Sequence, residues 1–374
     1  MSYTRNTITA GWQWRLASSN GNANAEATAE IQQWTPVKSF PSVVQMELLA
    51  HNLIPDPNVG ENERLIQWVG EADWEYACEF STPADDANHE HVELSFEGLD
   101  TFATVWMNGT EIVKSDNMFI PRRVDVRGLL RHTGQKNELV ILFESPIKKG
   151  KELEAKFGPR KFVAMRDKKR MHERKAQYHW GWDWGPIMLT SGPYRPVHLE
   201  AYNSRIEDVY ITTSVRADGS SAVVAVRVEI TDPDSDHKLE VVMHDRKGQQ
   251  VAKQGAAVDN KQKNFEFFIQ SPELWWPNGQ GEQPLYSVNV MLQSEKQGLV
   301  DQKCKRLGIR TIKLIQRPLE SAPGTTFMFS VNSREIFIQG GDWIPADNLL
   351  PTITRKRYFD WVQIAKTCHI NMIR

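Results

Sequence analysis

The sequence predicts a mainly β protein of more than one domain: two antiparallel sandwiches in succession, then a strand, a helix and a strand. Three observations carry this. Apolar residues alternate with polar ones in short runs, the period of half-buried strands. Turn residues separate those runs at the spacing of a sandwich. After about Arg310 the apolar period lengthens to that of a helix. A chain of 374 residues also exceeds one ordinary domain, and two or three are expected.

The first domain is placed at residues 1–203. Within it Val92, Leu94 and Phe96 alternate before Glu97-Gly98, and Leu139, Ile141 and Phe143 alternate before Ser145-Pro146. Asn108-Gly109 lies between Thr104-Val-Trp-Met and Glu111-Ile-Val, and this pair favours the left-handed conformations of a tight hairpin turn. Such strands and turns suit a sandwich or jelly roll. Asn20 to Glu30 is small and polar and reads as a loop or a short surface helix. Between Lys148 and Lys175 stand twelve Lys or Arg against four acidic residues. This run reads as a solvated excursion between strands, since charge runs usually are solvated. Base-stacking aromatics are sparse there (Phe157, Phe162), which argues against a nucleic-acid footprint.

The second domain is placed at 204–312. Alternation at Val209–Val215, Val224–Ile230, Leu239–Met243, Phe265–Ile269 and Tyr286–Leu292 reads as an immunoglobulin-like sandwich. Trp275-Trp-Pro-Asn-Gly279 falls in a connection, where Pro and Gly exclude a central strand. In the last segment, 313–374, Glu335-Ile-Phe-Ile-Gln339 reads as a short apolar strand broken by Gly340-Gly341. Thr354 is a candidate cap for a helix whose apolar positions are Tyr358, Trp361, Ile364 and Ala365. Ile370, Met372 and Ile373 then begin another strand. Strand, helix, strand is a parallel βαβ unit, and a chain ending inside a buried-type strand reads as a truncated one.

Composition excludes several classes. A net charge of −2 provides no general pull towards nucleic acid or an anionic membrane. No apolar leader opens the sequence and no window approaches a membrane span, so a cytoplasmic protein is expected. Cys78, Cys304 and Cys368 are odd in number and far apart, as reduced thiols of a cytosolic protein would be. His89, His91, His172 and His179 lack further ligands at metal spacing and read as surface or hydrogen-bonding histidines. No metal or cofactor is expected.

The chemistry concentrates at Gln177–Pro186, Q-Y-H-W-G-W-D-W-G-P. Three tryptophans alternate with glycine and aspartate, and the glycines and proline argue against a regular buried strand. A ligand with an apolar face and hydroxyls on its edge suits such a stretch, and a sugar ring is one. An aromatic cluster plugging the end of a sandwich has the same composition.

Taken with Trp275-Trp-Pro-Asn-Gly-Gln-Gly-Glu-Gln-Pro-Leu-Tyr286 and Gln339-Gly-Gly-Asp-Trp-Ile-Pro-Ala-Asp347, that stretch resembles the β-mannosidases of glycoside hydrolase family 2, the fungal intracellular type most of all. Val69-Gly-Glu-Ala-Asp-Trp74, Phe96-Glu-Gly-Leu-Asp-Thr101 and Asn117-Met-Phe119 fit the same family's first domain, and the likeness covers essentially the whole chain. It implies a jelly-roll sugar-binding domain, an immunoglobulin-like sandwich and the truncated start of a (β/α)8 barrel. It implies an exo-acting enzyme that removes terminal non-reducing β-D-mannose with retention from β-mannoside oligosaccharides. Trp182 would wall the mannose pocket, Asp183 would hydrogen-bond sugar hydroxyls, Trp343 would line the same pocket, and Arg374 would stand near the nucleophile. Asp342 takes a place where many relatives carry Asn.

In such enzymes two carboxyl groups about 5–5.5 Å apart act as acid/base and nucleophile. The family's two catalytic glutamates match nothing before Arg374, so no catalytic residue is assigned and this chain is expected to be inactive. Asp342 and Asp347 are not cast as the pair, because turn and capping roles are commoner for loop aspartates. The competing reading is a non-catalytic carbohydrate-binding protein of two β domains.

Overall fold

Trp74, Tyr76, Leu139, Ile141 and Phe143 alternate with more exposed neighbours along two paired strands, and in the computed structural model all five lie fully buried in one core. The structure describes residues 3–17, 31–132, 134–161 and 167–374, and the stretch 20–30 lies outside them. The described chain forms two units, considered in turn: Thr4–Ala201 with Pro345–Thr354, and Tyr202–Ile344 with Arg355–Arg374.

The first unit is a sandwich of two antiparallel sheets. Its strands are β1 (Thr4–Thr7), β2 (Gln13–Leu16), β3 (Thr35–Pro36), β4 (Trp74–Ser81), β5 (His91–Phe96), β6 (Phe102–Met107), β7 (Thr110–Ser115), β8 (Arg122–Asp125), β9 (Lys136–Glu144), β10 (Trp180–Trp182), β11 (Gly185–Ile187) and β12 (Val197–Tyr202). One sheet runs β3-β2-β4-β9-β6-β7 and the other β1-β12-β5-β8. Apart from the β2–β3 and β6–β7 pairs, neighbours in space are not consecutive in sequence, as in a jelly roll. Inward residues of both sheets meet in a single apolar core. The expected hairpin is present: β6 and β7 pair across Asn108 and Gly109 at φ 50° and 83°, the double left-handed turn that matches strand twist.

Helices α1 (Val44–Ala50), α2 (Trp68–Glu71) and α3 (Pro146–Phe157) flank this sandwich. Helix α3 begins where the sequence suggested only a strand end. Ser145 Oγ accepts from the Lys148 amide at 3.2 Å, Pro146 occupies the first turn, and Gly158 closes the helix at φ 77°. The basic run is therefore not a plain solvated excursion. It opens with a helix and ends by burying Arg170, Glu173 and Lys175.

The second unit holds β13 (Arg205–Val215), β14 (Ser221–Thr231), β15 (His237–His244), β16 (Gln250–Ala257), β17 (Gln262–Gln270), β18 (Tyr286–Ser294) and β19 (Gly298–Leu307). Sheets β13-β14-β17 and β16-β15-β18-β19 close over one core, the layering of an immunoglobulin-like sandwich. The five alternating runs are all strands; β16 and β19, both at sheet edges, carried no such pattern.

A small antiparallel sheet follows, with β20 (Ile312–Ile315), β21 (Met328–Val331) and β22 (Arg334–Ile336). The run Glu335–Gln339 is thus not one strand. Its first half closes this sheet, and the two glycines expected to break it are themselves β23 (Gly340–Gly341). Strand β23 pairs in parallel with β24 (Met372–Ile373) across helix α4 (Arg355–Thr367), which is the expected βαβ connection. A Cβ at Gly340 would meet the Met372 carbonyl oxygen at 2.2 Å, so the close strand approach requires glycine.

The Trp275–Gly279 connection joins these parts. Arg310 lies over the Trp275 ring at 4.7 Å and Arg334 over Trp276 at 4.1 Å. The Asn278 side-chain amide donates to the carbonyls of Lys366 at 3.0 Å and Ile370 at 3.1 Å, capping the end of α4.

Candidate functional site

The tryptophan-rich stretch is a short β-hairpin of two three-residue strands, partly buried and bent by Gly181, where the sequence argued against a regular buried strand. Trp180 pairs with Ile187 and Trp182 with Gly185, leaving Asp183 and Trp184 as the turn. Gly181 permits this by taking φ 84°, a conformation costly for residues with a Cβ. Trp180 is buried, Trp182 and Trp184 are half-buried, and Asp183 is exposed at the tip. Arg170 lies 5.4 Å from the Trp182 ring centre, and Tyr178 packs on Trp184 at 5.8 Å. The exposed Asp183 at the tip is thus flanked in sequence by two half-buried indoles.

What holds this hairpin was not visible in the sequence. Beneath it Lys175 is sealed from solvent, and its ammonium donates to Asp100 Oδ1 and Oδ2 at 2.6 and 2.7 Å and to the Thr190 carbonyl at 2.6 Å. Thr190 and His179 flank the hairpin on either side, with Thr190 Oγ1 3.1 Å from His179 Nδ1 and 2.6 Å from Asp100 Oδ2. His179 Nε2 lies 3.0 Å from the Asn348 carbonyl, and the Asn348 amide reaches the Pro186 carbonyl at 3.2 Å. One polar chain therefore connects both ends of the hairpin.

Charge follows from these contacts. Burial alone would raise the Asp100 carboxyl, but the adjacent Lys175 ammonium and its hydrogen bonds more than offset this and hold it below its usual range. Burial also lowers the Lys175 ammonium, against the pull of Asp100. Burial, then the Lys175 charge, pushes His179 down to about 3, so its ring is neutral at pH 7. The Asn348 carbonyl can only accept, which assigns the proton to Nε2 and leaves Nδ1 bare. The Thr190 hydroxyl then has one proton for two acceptors, Nδ1 and Asp100, and Lys175 and the Thr101 hydroxyl donate the other bonds to Asp100.

The four expected site residues fall as two pairs, one in each unit. Trp182 and Asp183 share the hairpin. Trp343 and Arg374 are joined by backbone bonds in the βαβ segment: the Trp343 amide donates to the Arg374 carbonyl at 2.7 Å, and the Arg374 amide to the Gly341 carbonyl at 3.1 Å. Arg374 Nε stands 3.1 Å from Asp342 Oδ1, and both are exposed. Asp342 here neutralises an arginine. Asp347 accepts from the Leu349 amide at 3.0 Å, a turn role.

Trp343 stacks near Tyr358 at 6.4 Å and Trp361 at 5.7 Å. With Ile364, Ala365, Cys368 and Ile373 it lines an apolar cleft of about 280 Å³. Among the described residues, no group of three His, Cys, Asp or Glu side chains gathers that could hold a metal ion, and no helix is long and apolar enough to cross a membrane.

Residues 12–195 match the family model of the glycosyl hydrolase 2 galactose-binding domain-like segment, and residues 204–310 match that of glycosyl hydrolases family 2. The chain belongs to glycoside hydrolase family 2. Among family members it is 45% identical to β-mannosidase B of Thermothelomyces thermophilus, over 93% of this chain and 40% of that protein. With β-mannosidase B of Aspergillus terreus it shares 39% identity over 97% of this chain and 41% of that one. The crystal structure of β-D-mannosidase from Dictyoglomus thermophilum superposes with a TM-score of 0.87 and 32% identity, covering 99% of this chain and 44% of that one. The chain spans about two fifths of the length of the curated relatives it matches.

Proposed function

We propose that the complete protein is an exo-β-mannosidase, releasing terminal non-reducing β-D-mannose with retention, and that this chain supplies its sugar-recognition parts. The observation carrying the proposal is the hairpin tip, where the exposed Asp183 carboxylate stands between Trp182 and Trp184, in a chain 45% identical to a protein named β-mannosidase B. Trp182 would pack against the pyranose C–H face while Asp183 accepts its hydroxyl protons. Trp343 and Arg374, held together by backbone bonds, would line the same pocket. The βαβ segment would open a (β/α)8 barrel, whose later strands would present the acid/base and nucleophile glutamates. Both displacements of the retaining reaction require that pair. We also place the protein in the cytosol, a reading supported by its three unpaired cysteines.

The test is hydrolysis of an aryl β-mannoside by the complete protein. Asp183→Ala is expected to lower kcat/KM by orders of magnitude, and an unchanged value would remove Asp183 from the pocket. The 374-residue chain alone is expected to release no aglycone above buffer. Turnover by it would place the catalytic pair within these residues.

A further inference from the structure

The outer face of the six-stranded sheet carries a cleft of about 960 Å³ that the hairpin chemistry does not use. That volume is at the upper end of the roughly 300–1,000 Å³ typical of small-molecule sites. Phe102, Thr104 and Trp106 of β6 and Leu142 of β9 form its floor, α3 forms one wall with Leu153 and Phe157, and the segment from Met171 to Arg174 closes the end.

Three features mark it as a built site. At the closed end Glu173 is 7% exposed, and neither carboxylate oxygen has a hydrogen-bond partner. Both ring nitrogens of His172 are likewise buried and unpartnered, contrary to the surface or hydrogen-bonding role expected of it. Such groups are rare because each forfeits a hydrogen bond it would have made to water. Second, α3 carries a mid-helix glycine, Gly150, where a Cβ would stand 2.8 Å from Glu173 Oε1. Glycine weakens a helix, and here it leaves room for that carboxylate. Third, the cleft offers aromatic surface: Trp106 is half-buried and Phe157 is 62% exposed.

Charges of both signs line the cleft: Lys114, Lys149, Lys156, Arg160 and Arg174 stand among Glu111, Asp116, Glu144 and Glu152. Lys149 bridges Glu144 at 2.8 Å and Glu152 at 3.1 Å, and Lys114 pairs with Glu111 at 3.2 Å. This near balance offers little to select an ion, whereas unpaired acceptors, an imidazole and aromatic faces remain. A hydroxyl both donates and accepts, and a pyranose adds an apolar C–H face. We propose that this cleft is a second carbohydrate site, binding a neutral oligosaccharide with Trp106 and Phe157 against its rings and Glu173 accepting hydroxyl protons. The proposal does not depend on the reading of the hairpin.

Calorimetric titration of the 374-residue chain with β-mannotriose and cellotriose, and with glucuronic acid as a charged control, tests it. Saturable binding of at least one trisaccharide is expected, unchanged by Asp183→Ala and weakened about tenfold by Phe157→Ala, since an aromatic contact is of that size. Glu173→Leu is expected to weaken it about tenfold as well, through loss of a hydrogen-bonding group. Phe157 is exposed, so its variant does not disturb the core. The idea is overturned by absence of saturable binding, by binding lost in Asp183→Ala but kept in Phe157→Ala, or by glucuronic acid binding as tightly as the trisaccharides.

Discussion

The hairpin of the first unit and the βαβ segment of the second both carry expected sugar-binding residues, yet they are secured in opposite ways. The hairpin rests on a sealed polar chain from Asn348 through His179 and Thr190 to Asp100 and Lys175. The βαβ segment is apolar and open: α4 has no buried residue, and Phe359, Val362 and Ile364 are more than half exposed. An exposed apolar stripe of this kind marks a surface made for contact. A buried ion pair is poor at adding stability but strict about geometry, because removing one partner strands the other. The hairpin is therefore fixed by its own unit, whereas Trp343 sits on a face that is still uncovered.

The sharpest way to break this contrast is Lys175→Met, which leaves Asp100 buried and unpaired. It is expected to destabilise the first unit by about 3–5 kcal/mol in urea unfolding followed by tryptophan fluorescence. A loss below about 1 kcal/mol, the scale of surface pairs, would show that the network does not bear on the hairpin.

Stability against pH provides the next test. His179 falls to about 3 from 6.5, so as pH drops below 6.5 the unfolded chain takes up a proton the folded one refuses, and this contribution is lost progressively towards 3. Burial raises Glu173 from 4.5 to about 8, although Lys175 and the nearby Trp180 indole, which closes no hydrogen bond with it, act in the other direction. Its contribution is complete below 4.5 and is lost as pH rises towards 8. The two oppose each other between 4.5 and 6.5, where chemical denaturation should give a plateau. Glu173→Gln should abolish the decline between 6.5 and 8, and a decline that persists would exclude Glu173 as its source.

Gly181→Ala should cost about 1–2 kcal/mol, because the hairpin requires φ 84° there. Smallest are the exposed positions: Asp183→Ala and Ile364→Asp should each move the unfolding free energy by no more than about 0.5 kcal/mol. A larger effect of Ile364→Asp would mean that α4 is covered after all.

Much of this was legible in the sequence where local pattern decides structure. Alternation found the central strands because one of their faces is buried, and Asn108-Gly109 fixed its hairpin by backbone preference alone. Edge strands escaped: β16, reading Gln250-Val-Ala-Lys-Gln-Gly-Ala-Ala257, is largely exposed, so no period is imposed on it. At the hairpin, the stretch Gln177–Pro186 stood out by composition, and the family resemblance singled out Trp182 and Asp183 within it. Their support did not stand out, since Lys175 meets Asp100 across 75 residues of sequence and lies among twelve basic residues. The pairing that gives Lys175 its role exists only after the fold has formed. A lysine three residues before Tyr178 was the only local signal, and its charged neighbours concealed it.

The amide of Asn278 has a consequence in time. A ribosome delivers the chain from its N-terminus, so the loop bearing this side chain emerges well before the α4 carbonyl of Lys366 and the carbonyl of Ile370 beyond it, which it binds at 3.0 and 3.1 Å. The sandwich can therefore be finished and waiting, with a docking peg in place, when Arg355–Thr367 first coils. The helix then docks from a preset orientation.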